Sequence, residues 1–332
     1  MSSSHANISV FVPHVGCPNM CSFCDQRHIT GVTVLPGEKD VIKAVTAAKT
    51  SKNYDPANTE IAFFGGSFTA INRNYMLSLL TAANAFVKSG DVKGIRISTR
   101  PDAIDKEILS LLKTYGVTSI ELGAQSMDDG VLKKNNRGHS AADVINASNL
   151  IKEYGFSLGL QMMTGLYGDS DEKTLKTARK IIELEPETVR IYPTIVLKGT
   201  TLAALYADGH YKPQSLDSAV SLCCKLLELF GKANIKVIRL GLHSIDNGAY
   251  VAGPWHPAFS ELCTSEMFYN KALGILGEKG DYTLFVSPGN ISKMTGQNRK
   301  NIEKLKSLGY NCKVLPDGRL IKDEIHAERG IK

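Results

Sequence analysis

The chain has 332 residues, 43% hydrophobic and 22% charged, which excludes a disordered polymer and suffices for one large α/β body with an appendage. Its net charge of +6 permits an anionic partner without specifying one. No apolar run reaches the roughly 18 residues a membrane-spanning helix needs. The Met1-Ser2-Ser3-Ser4-His5 start also lacks the basic and apolar regions of a secretory signal. The expectation is a cytoplasmic chain without membrane contact, whose seven cysteines are thiols or metal ligands rather than disulfides.

In chain order, β-rich runs at 8–15, 60–64, 94–99, 119–123, 156–162, 188–194 and 236–242 read as strands. Most are apolar and β-branched at nearly every position, as parallel strands covered on both faces should be. Helical patterns fill the gaps at 39–50, 74–88, 106–115, 141–154 and 171–183. Asp105 and Ser170 stand at N-caps, with Lys173 where a capping box would place Glu, and Gly116 and Gly155 stand at C-terminal ends. Repeated β–α units predict parallel strands with right-handed crossovers, hence a partial or full TIM-like (β/α) barrel, with a doubly wound sheet as the rival. In either, chemistry collects at the carboxyl ends of the strands. After about residue 243 the pattern changes to a turn-rich stretch, a helix at 259–276, a strand at 282–287, a helix at 299–308 and two short strands. The expected division is 1–243 for the barrel and 244–332 for a small α/β extension.

Directly after the first strand, Cys17, Cys21 and Cys24 form C-x3-C-x2-C. Three thiolates on one tight loop can hold three irons of a [4Fe–4S] cube and leave the fourth iron open to another ligand. The amino and carboxylate groups of S-adenosylmethionine (SAM) suit that position. Phe23 can shield such a cluster from water. The alternative is structural zinc, with His14 or His28 as fourth ligand. Cys223, Cys224, Cys263 and Cys312 read as core packing. His139, His243 and His256 read as structural or surface residues without a second ligand at metal spacing.

C-x3-C-x-aromatic-C after strand one resembles the radical SAM superfamily. Phe63-Phe64-Gly65-Gly66-Ser67-Phe68-Thr69, Ser98-Thr99-Arg100-Pro101-Asp102, Asn136-Arg137-Gly138-His139 and Ile191-Tyr192-Pro193-Thr194 are similar to the radical SAM region of the Elongator catalytic subunit. The resemblance covers roughly residues 8–245, and oxygen-independent coproporphyrinogen oxidase is a more distant likeness. It implies reductive cleavage of SAM to a 5′-deoxyadenosyl radical, an electron donor such as flavodoxin or ferredoxin, and tRNA as substrate. Elongator's acetyltransferase domain has no counterpart within these 332 residues, so its acetyl-CoA-dependent chemistry is not expected of them.

The same resemblance assigns sites. Gly65 and Gly66 end the second strand, where backbone can approach the SAM amino group; Ser67 stands where relatives carry Thr or an acid. Thr99 and Arg100 end the third strand, with Ser98 where relatives can carry Glu. Gln125, Ser126 and Arg137 follow the fourth strand, at a Gln-to-Arg spacing like that of coproporphyrinogen oxidase. A guanidinium can fork onto the SAM carboxylate and an amide can bond ribose hydroxyls. Gln161 ends the fifth strand at a further ribose position. Tyr192, ending the sixth, is the candidate catalytic residue, able to stack on substrate or relay an electron. Lastly, 294–302 leads into a basic helix carrying Lys300, Lys304 and Lys306, loosely similar to a KH module, with Arg299 in place of the second glycine of its GXXG loop. Rival readings of the whole chain are a nucleic-acid-binding protein with a structural or redox-sensing cluster, and a coproporphyrinogen-oxidase-like enzyme.

Overall fold

The computed structural model describes residues 5–13, 20–24, 34–242 and 248–330. Two compact units divide the chain, Met1–Gln214 with Phe230–Pro254, and Ser215–Leu229 with Trp255–Lys332. No helix among the described residues is long and apolar enough to cross a membrane.

The first unit is built on seven strands, β1 (Ala6–Val12), β2 (Thr59–Gly65), β3 (Gly94–Thr99), β4 (Val117–Gln125), β5 (Ser157–Thr164), β6 (Thr188–Pro193) and, after a short β7 (Val196–Leu197), β8 (Lys236–Leu240). They pair in parallel in the order β1-β2-β3-β4-β5-β6-β8. The strand order never reverses, so there is no switch point of the doubly wound kind, and successive right-handed crossovers place the helices on one face. Because β1 and β8 do not pair, the result is a partial barrel. The intervening helices are α1 (Glu38–Lys49), α2 (Arg73–Lys88), α3 (Lys106–Thr114), α4 (Asp129–Lys134), α5 (Ala141–Glu153), α6 (Asp171–Glu183) and α7 (Thr201–Ala207); α8 (Leu216–Lys232) precedes β8 in the chain, but its residues up to Leu229 belong to the second unit. Asp105 and Ser170 cap α3 and α6 by accepting the N–H of Ile108 and Lys173.

The strands are not apolar on both faces. Ile8, Val10, Ile61, Phe63, Ile95, Ile97, Ile120, Leu122, Leu158, Leu160, Val189 and Ile191 are buried on the helix-covered face. Their strand neighbours Glu60, Arg96, Glu121, Gln161, Arg190 and Tyr192 share the other face. The registers Gln161↔Arg190 and Gly123↔Gln161 put alternate positions of adjacent strands side by side. A period-two pattern therefore runs beneath the apolar impression of these runs.

The second unit has its own core of Phe268, Ala272, Tyr282, Leu284, Val286, Met294, Ile302, Leu305 and Cys312. The three-residue β9 (Tyr250–Ala252) belongs to the first unit, where it pairs with β7; the second unit then carries α9 (Phe259–Ile275), β10 (Gly280–Val286), α10 (Ile291–Thr295), α11 (Lys300–Ser307), β11 (Tyr310–Pro316) and β12 (Ile325–Arg329). β10 lies between a parallel β11 and an antiparallel β12. Cys223, Cys224, Cys263 and Cys312 are buried thiols, and burial pushes Cys224 and Cys312 up to about 11, as suits inert core cysteines.

Candidate active site at the strand ends

Of the cysteine triplet, Cys21 and Cys24 fall among the described residues; Cys17, with His14, His28 and His243, lies outside them. Cys21 and Cys24 are joined by a tight turn in which the Cys24 N–H donates to the Cys21 carbonyl at 3.1 Å. Ser22 between them is buried and triply held: its N–H donates to Asn135 O at 3.2 Å, its hydroxyl to Asn135 Oδ1 at 2.7 Å, and its carbonyl accepts from Leu202 N–H at 2.7 Å. Phe23 packs against Val196, Leu202 and Tyr211. The loop is thus anchored to the segment after β4 and to α7.

Arg137 reaches the same loop. Its Nη1 donates to Cys21 Sγ at 3.1 Å and its Nη2 to the Gly123 carbonyl at 2.7 Å. Gly123 leaves room for this approach, since a Cβ there would lie 3.0 Å from Gln125 Nε2 and 3.5 Å from Arg137 Nη2. Gln125 has a left-handed backbone (φ 63°) where the β4–β5 register shifts, a conformation a non-glycine residue adopts at some cost. Arg137 Nε and Gln125 Oε1 are buried with no hydrogen-bond partner among the described residues. Orphaned buried polar atoms are costly, and Arg137, which carries one of these two, also donates to the Cys21 thiol.

Gly65 ends β2 with φ +117°, and a Cβ there would come within 2.7 Å of the Val12 carbonyl. That carbonyl takes the Gly66 N–H at 2.8 Å. Only glycine permits this closeness of the ends of β1 and β2. Ser67, Thr99 and Arg100 do come together, but toward one another. Ser67 Oγ shares a 2.8 Å hydrogen bond with Thr99 Oγ1 and accepts the Arg100 N–H at 3.2 Å, while Thr69 Oγ1 lies 2.6 Å from Thr99 Oγ1. The Arg100 guanidinium forks onto Asp102 at 2.9 and 3.0 Å. Ser126 is buried beside α6, its hydroxyl 3.4 Å from Thr177 Oγ1 and accepting from Asp128 N–H at 3.2 Å. His139 is buried with Nε2 3.1 Å from the Ala124 carbonyl; burial and the nearby Arg137 charge lower its pKa to about 4.

Gln161 and Tyr192 belong to a polar ladder inside the barrel that sequence reading missed. Arg96 Nε donates to Glu60 Oε2 at 2.9 Å and its Nη1 to Glu121 Oε1 at 3.2 Å. Arg190 Nη2 donates to Glu121 Oε1 at 2.9 Å, and Gln161 Nε2 to Glu121 Oε2 at 3.2 Å. Thr118 and Ser119 hydroxyls complete Glu60 at 2.7 and 2.8 Å. Burial pushes Glu60 upward, but Arg96 and these hydroxyls outweigh it and hold it below the usual carboxylate range. Arg190 also lies over the Phe64 ring, 5.0 Å from its centroid. Tyr192 stands at the top of this ladder, its pKa raised by burial against the opposing pull of Arg190. The missed signal was a charged residue at alternate positions of otherwise apolar strands.

Residues 11–181 match the radical SAM superfamily and residues 186–269 match the radical SAM C-terminal domain. The chain is similar to a tRNA uridine(34) acetyltransferase of Dehalococcoides mccartyi, 27% identical over 240 residues, covering 62% of this chain and 52% of that protein. It is 28% identical over 251 residues to an uncharacterized protein of Methanocaldococcus jannaschii, covering 74% of each. Human Elongator complex protein 3 is 36% identical over 139 residues, covering 41% of this chain and 25% of that one. Among solved structures, an archaeal Elp3 of Methanocaldococcus infernus superposes with a TM-score of 0.68 at 22% identity, over 83% of this chain and 65% of that one, which shows the shared fold. The match thus spans about half of the Dehalococcoides protein and a quarter of the human one.

Proposed function

Because the chain belongs to the radical SAM superfamily, which implies SAM and a [4Fe–4S] cluster, we propose that Cys17, Cys21 and Cys24 hold the cluster, that SAM binds beside it at the strand ends, and that the substrate is RNA, most directly tRNA. The observation that carries this reading is the pair of orphaned buried atoms, Arg137 Nε and Gln125 Oε1, grouped with Cys21 Sγ. When bound, the cluster supplies the electron that divides SAM into methionine and a 5′-deoxyadenosyl radical. The protein's own contribution is placement. Arg137 offers charge-assisted donors to a carboxylate, and Gln125 and Gln161 offer amides to ribose hydroxyls. Gly65 and Gly66 keep the backbone open to an amino group. Ser67, Thr99 and Arg100 tie the ends of β2 and β3 beneath that opening, and Ser126 steadies the turn after β4. Phe23 backs the cysteine loop with an apolar cluster that keeps water away. Tyr192 is the residue proposed to meet the substrate, held from below by Arg190. The reading places the protein in the cytoplasm with a flavodoxin- or ferredoxin-type electron donor.

For RNA, the extension at 244–332 supplies the proposed contact. Its loop from Gly296 carries left-handed backbone at Asn298 (φ 50°) and at Arg299 (φ 62°), the position of the second glycine in a GXXG loop. Asn301 braces the loop, its amide donating to Ser265, Lys293 and Met294. Lys304 is engaged internally, 2.9 Å from Glu266 and 4.9 Å from the Tyr269 ring centroid. Lys300 pairs with Asp217 in an exposed contact of little strength, so Arg299, Lys300 and Lys306 are the side chains left to meet phosphates.

Two measurements test the reading. Anaerobically reconstituted, reduced protein should convert SAM to 5′-deoxyadenosine and methionine; a cluster that forms but consumes no SAM would support the redox-sensing alternative, and zinc in place of iron the structural-metal one. Mass spectrometry of tRNA nucleosides from cells with and without the gene should show a changed modification. An unchanged profile together with no salt-sensitive tRNA binding would overturn the RNA assignment.

A further inference from the structure

We propose that Asn135 is a positioning residue for the iron–sulfur cluster, acting through Ser22. The inference rests on the reading of the cysteine loop given above. Asn135 is buried, and each of its polar atoms is committed. Its amide donates to the Val131 carbonyl at 2.8 Å, which fixes the side chain on the last turn of α4, and to the Tyr167 carbonyl at 2.9 Å in the loop after β5. Its side-chain oxygen accepts the Ser22 hydroxyl at 2.7 Å, and its backbone oxygen accepts the Ser22 N–H at 3.2 Å. One residue therefore binds the loops after β4 and β5 to the residue immediately following Cys21.

The consequence for the cysteines is geometric. Cys21 and Cys24 are already closed into a turn by their own backbone hydrogen bond. Ser22 lies inside that turn, so fixing both its backbone and its hydroxyl fixes the direction in which the two sulfurs leave the chain. The next residues, Asn136 and Arg137, reach the same loop at Met20 O and Cys21 Sγ, at 3.5 and 3.1 Å. The segment after β4 thus sets the cysteine loop and carries the proposed SAM-binding guanidinium as a single piece. Outer partners that orient a metal's ligands ordinarily change its affinity and electronic properties when removed.

The test uses the full-length protein, reconstituted anaerobically with iron and sulfide, and the variants Ser22→Ala and Asn135→Ala. Ser22→Ala removes one side-chain hydrogen bond, and release of iron to a chelator should quicken about five-fold. Asn135→Ala removes the ties to Tyr167 and Val131 as well, and iron affinity should fall by about ten-fold or more. Both should shift the midpoint potential of the cluster and broaden its electron paramagnetic resonance line shape, properties that a general loss of stability leaves alone. Ser22→Ala keeps the test decisive if Asn135→Ala fails to fold. Wild-type release rates, potential and line shape in Ser22→Ala would overturn the role of Asn135. A wild-type protein that takes up no cluster would instead overturn the proposed function itself.

Discussion

Two polar regions of the barrel are built from the same residue types and end in opposite states. In the ladder beneath the mouth, Glu60, Arg96, Glu121 and Arg190 are ion-paired across strands β2, β3, β4 and β6; even Arg190 Nε, which makes no well-aligned hydrogen bond, lies 2.7 Å from Glu121 Oε2. At the mouth, Arg137 and Gln125 each keep a buried polar atom without a partner among the described residues. A closed network of buried charges contributes rigidity and penalises loss of any one member. An open one stores unsatisfied hydrogen-bonding capacity that a ligand can discharge. The difference separates scaffold from site without appeal to residue identity, since a buried arginine stands in both.

The largest effect should come from opening the closed network. Glu121→Ala leaves the charges of Arg96 and Arg190 without their shared carboxylate, and should destabilise the protein by about 3–5 kcal/mol. Urea unfolding of the cluster-free protein measures this; a loss below about 1 kcal/mol would show that the ladder is not a structural unit. A second effect follows from His139, which is buried near Arg137 and favoured in its neutral form. Its pKa drops from 6.5 to about 4 on folding. The unfolded chain therefore binds the proton first as pH falls. The stabilisation is fully present above about 6.5 and is lost progressively toward 4, amounting to about 3 kcal/mol. His139→Gln should flatten unfolding free energy across that window, and an unchanged slope would place the acid sensitivity elsewhere. Gln125→Ala should cost about 1.5 kcal/mol of SAM affinity, roughly ten-fold, with little change in stability, because it removes an atom that had no partner. Isothermal titration against the cluster-loaded protein reads it. Smallest of all, Lys300→Ala should lower the salt slope of tRNA binding by about one, with little effect at a single ionic strength. An unaltered slope would put the phosphate contacts elsewhere.

Much of this was legible in the sequence. Strand and helix positions followed from apolar runs and punctuation, with caps at Asp105 and Ser170 where expected. The resemblance also grouped Gln125 with Arg137, and both side chains do lie at Gly123 at the end of β4. What escaped was the inward face of the strands. Glu60, Arg96 and Glu121 were hidden because single charges inside β-branched runs do not break the impression of a buried strand, although their spacing of two marks a face. Asn135 escaped for a different reason. It stands next to the motif beginning at Asn136, and its partner Ser22 is 113 positions earlier, a pairing that only the folded chain discloses. Ser67 and Thr99, which the family resemblance offers as ligand contacts, share a hydrogen bond between their hydroxyls, a pairing of residues 32 positions apart that the sequence does not display.

The most direct test sets the two regions against each other in one experiment, measuring SAM affinity and unfolding free energy for Arg137→Ala and Glu121→Gln in cluster-loaded and cluster-free protein. Arg137→Ala should weaken SAM binding by about ten-fold or more, with unfolding nearly unchanged. Glu121→Gln should lower stability while leaving SAM affinity within about two-fold, since the charge it removes is turned toward Arg96 and Arg190. The reverse pattern, with SAM affinity lost in Glu121→Gln and intact in Arg137→Ala, would contradict the assignment of the mouth as the SAM site.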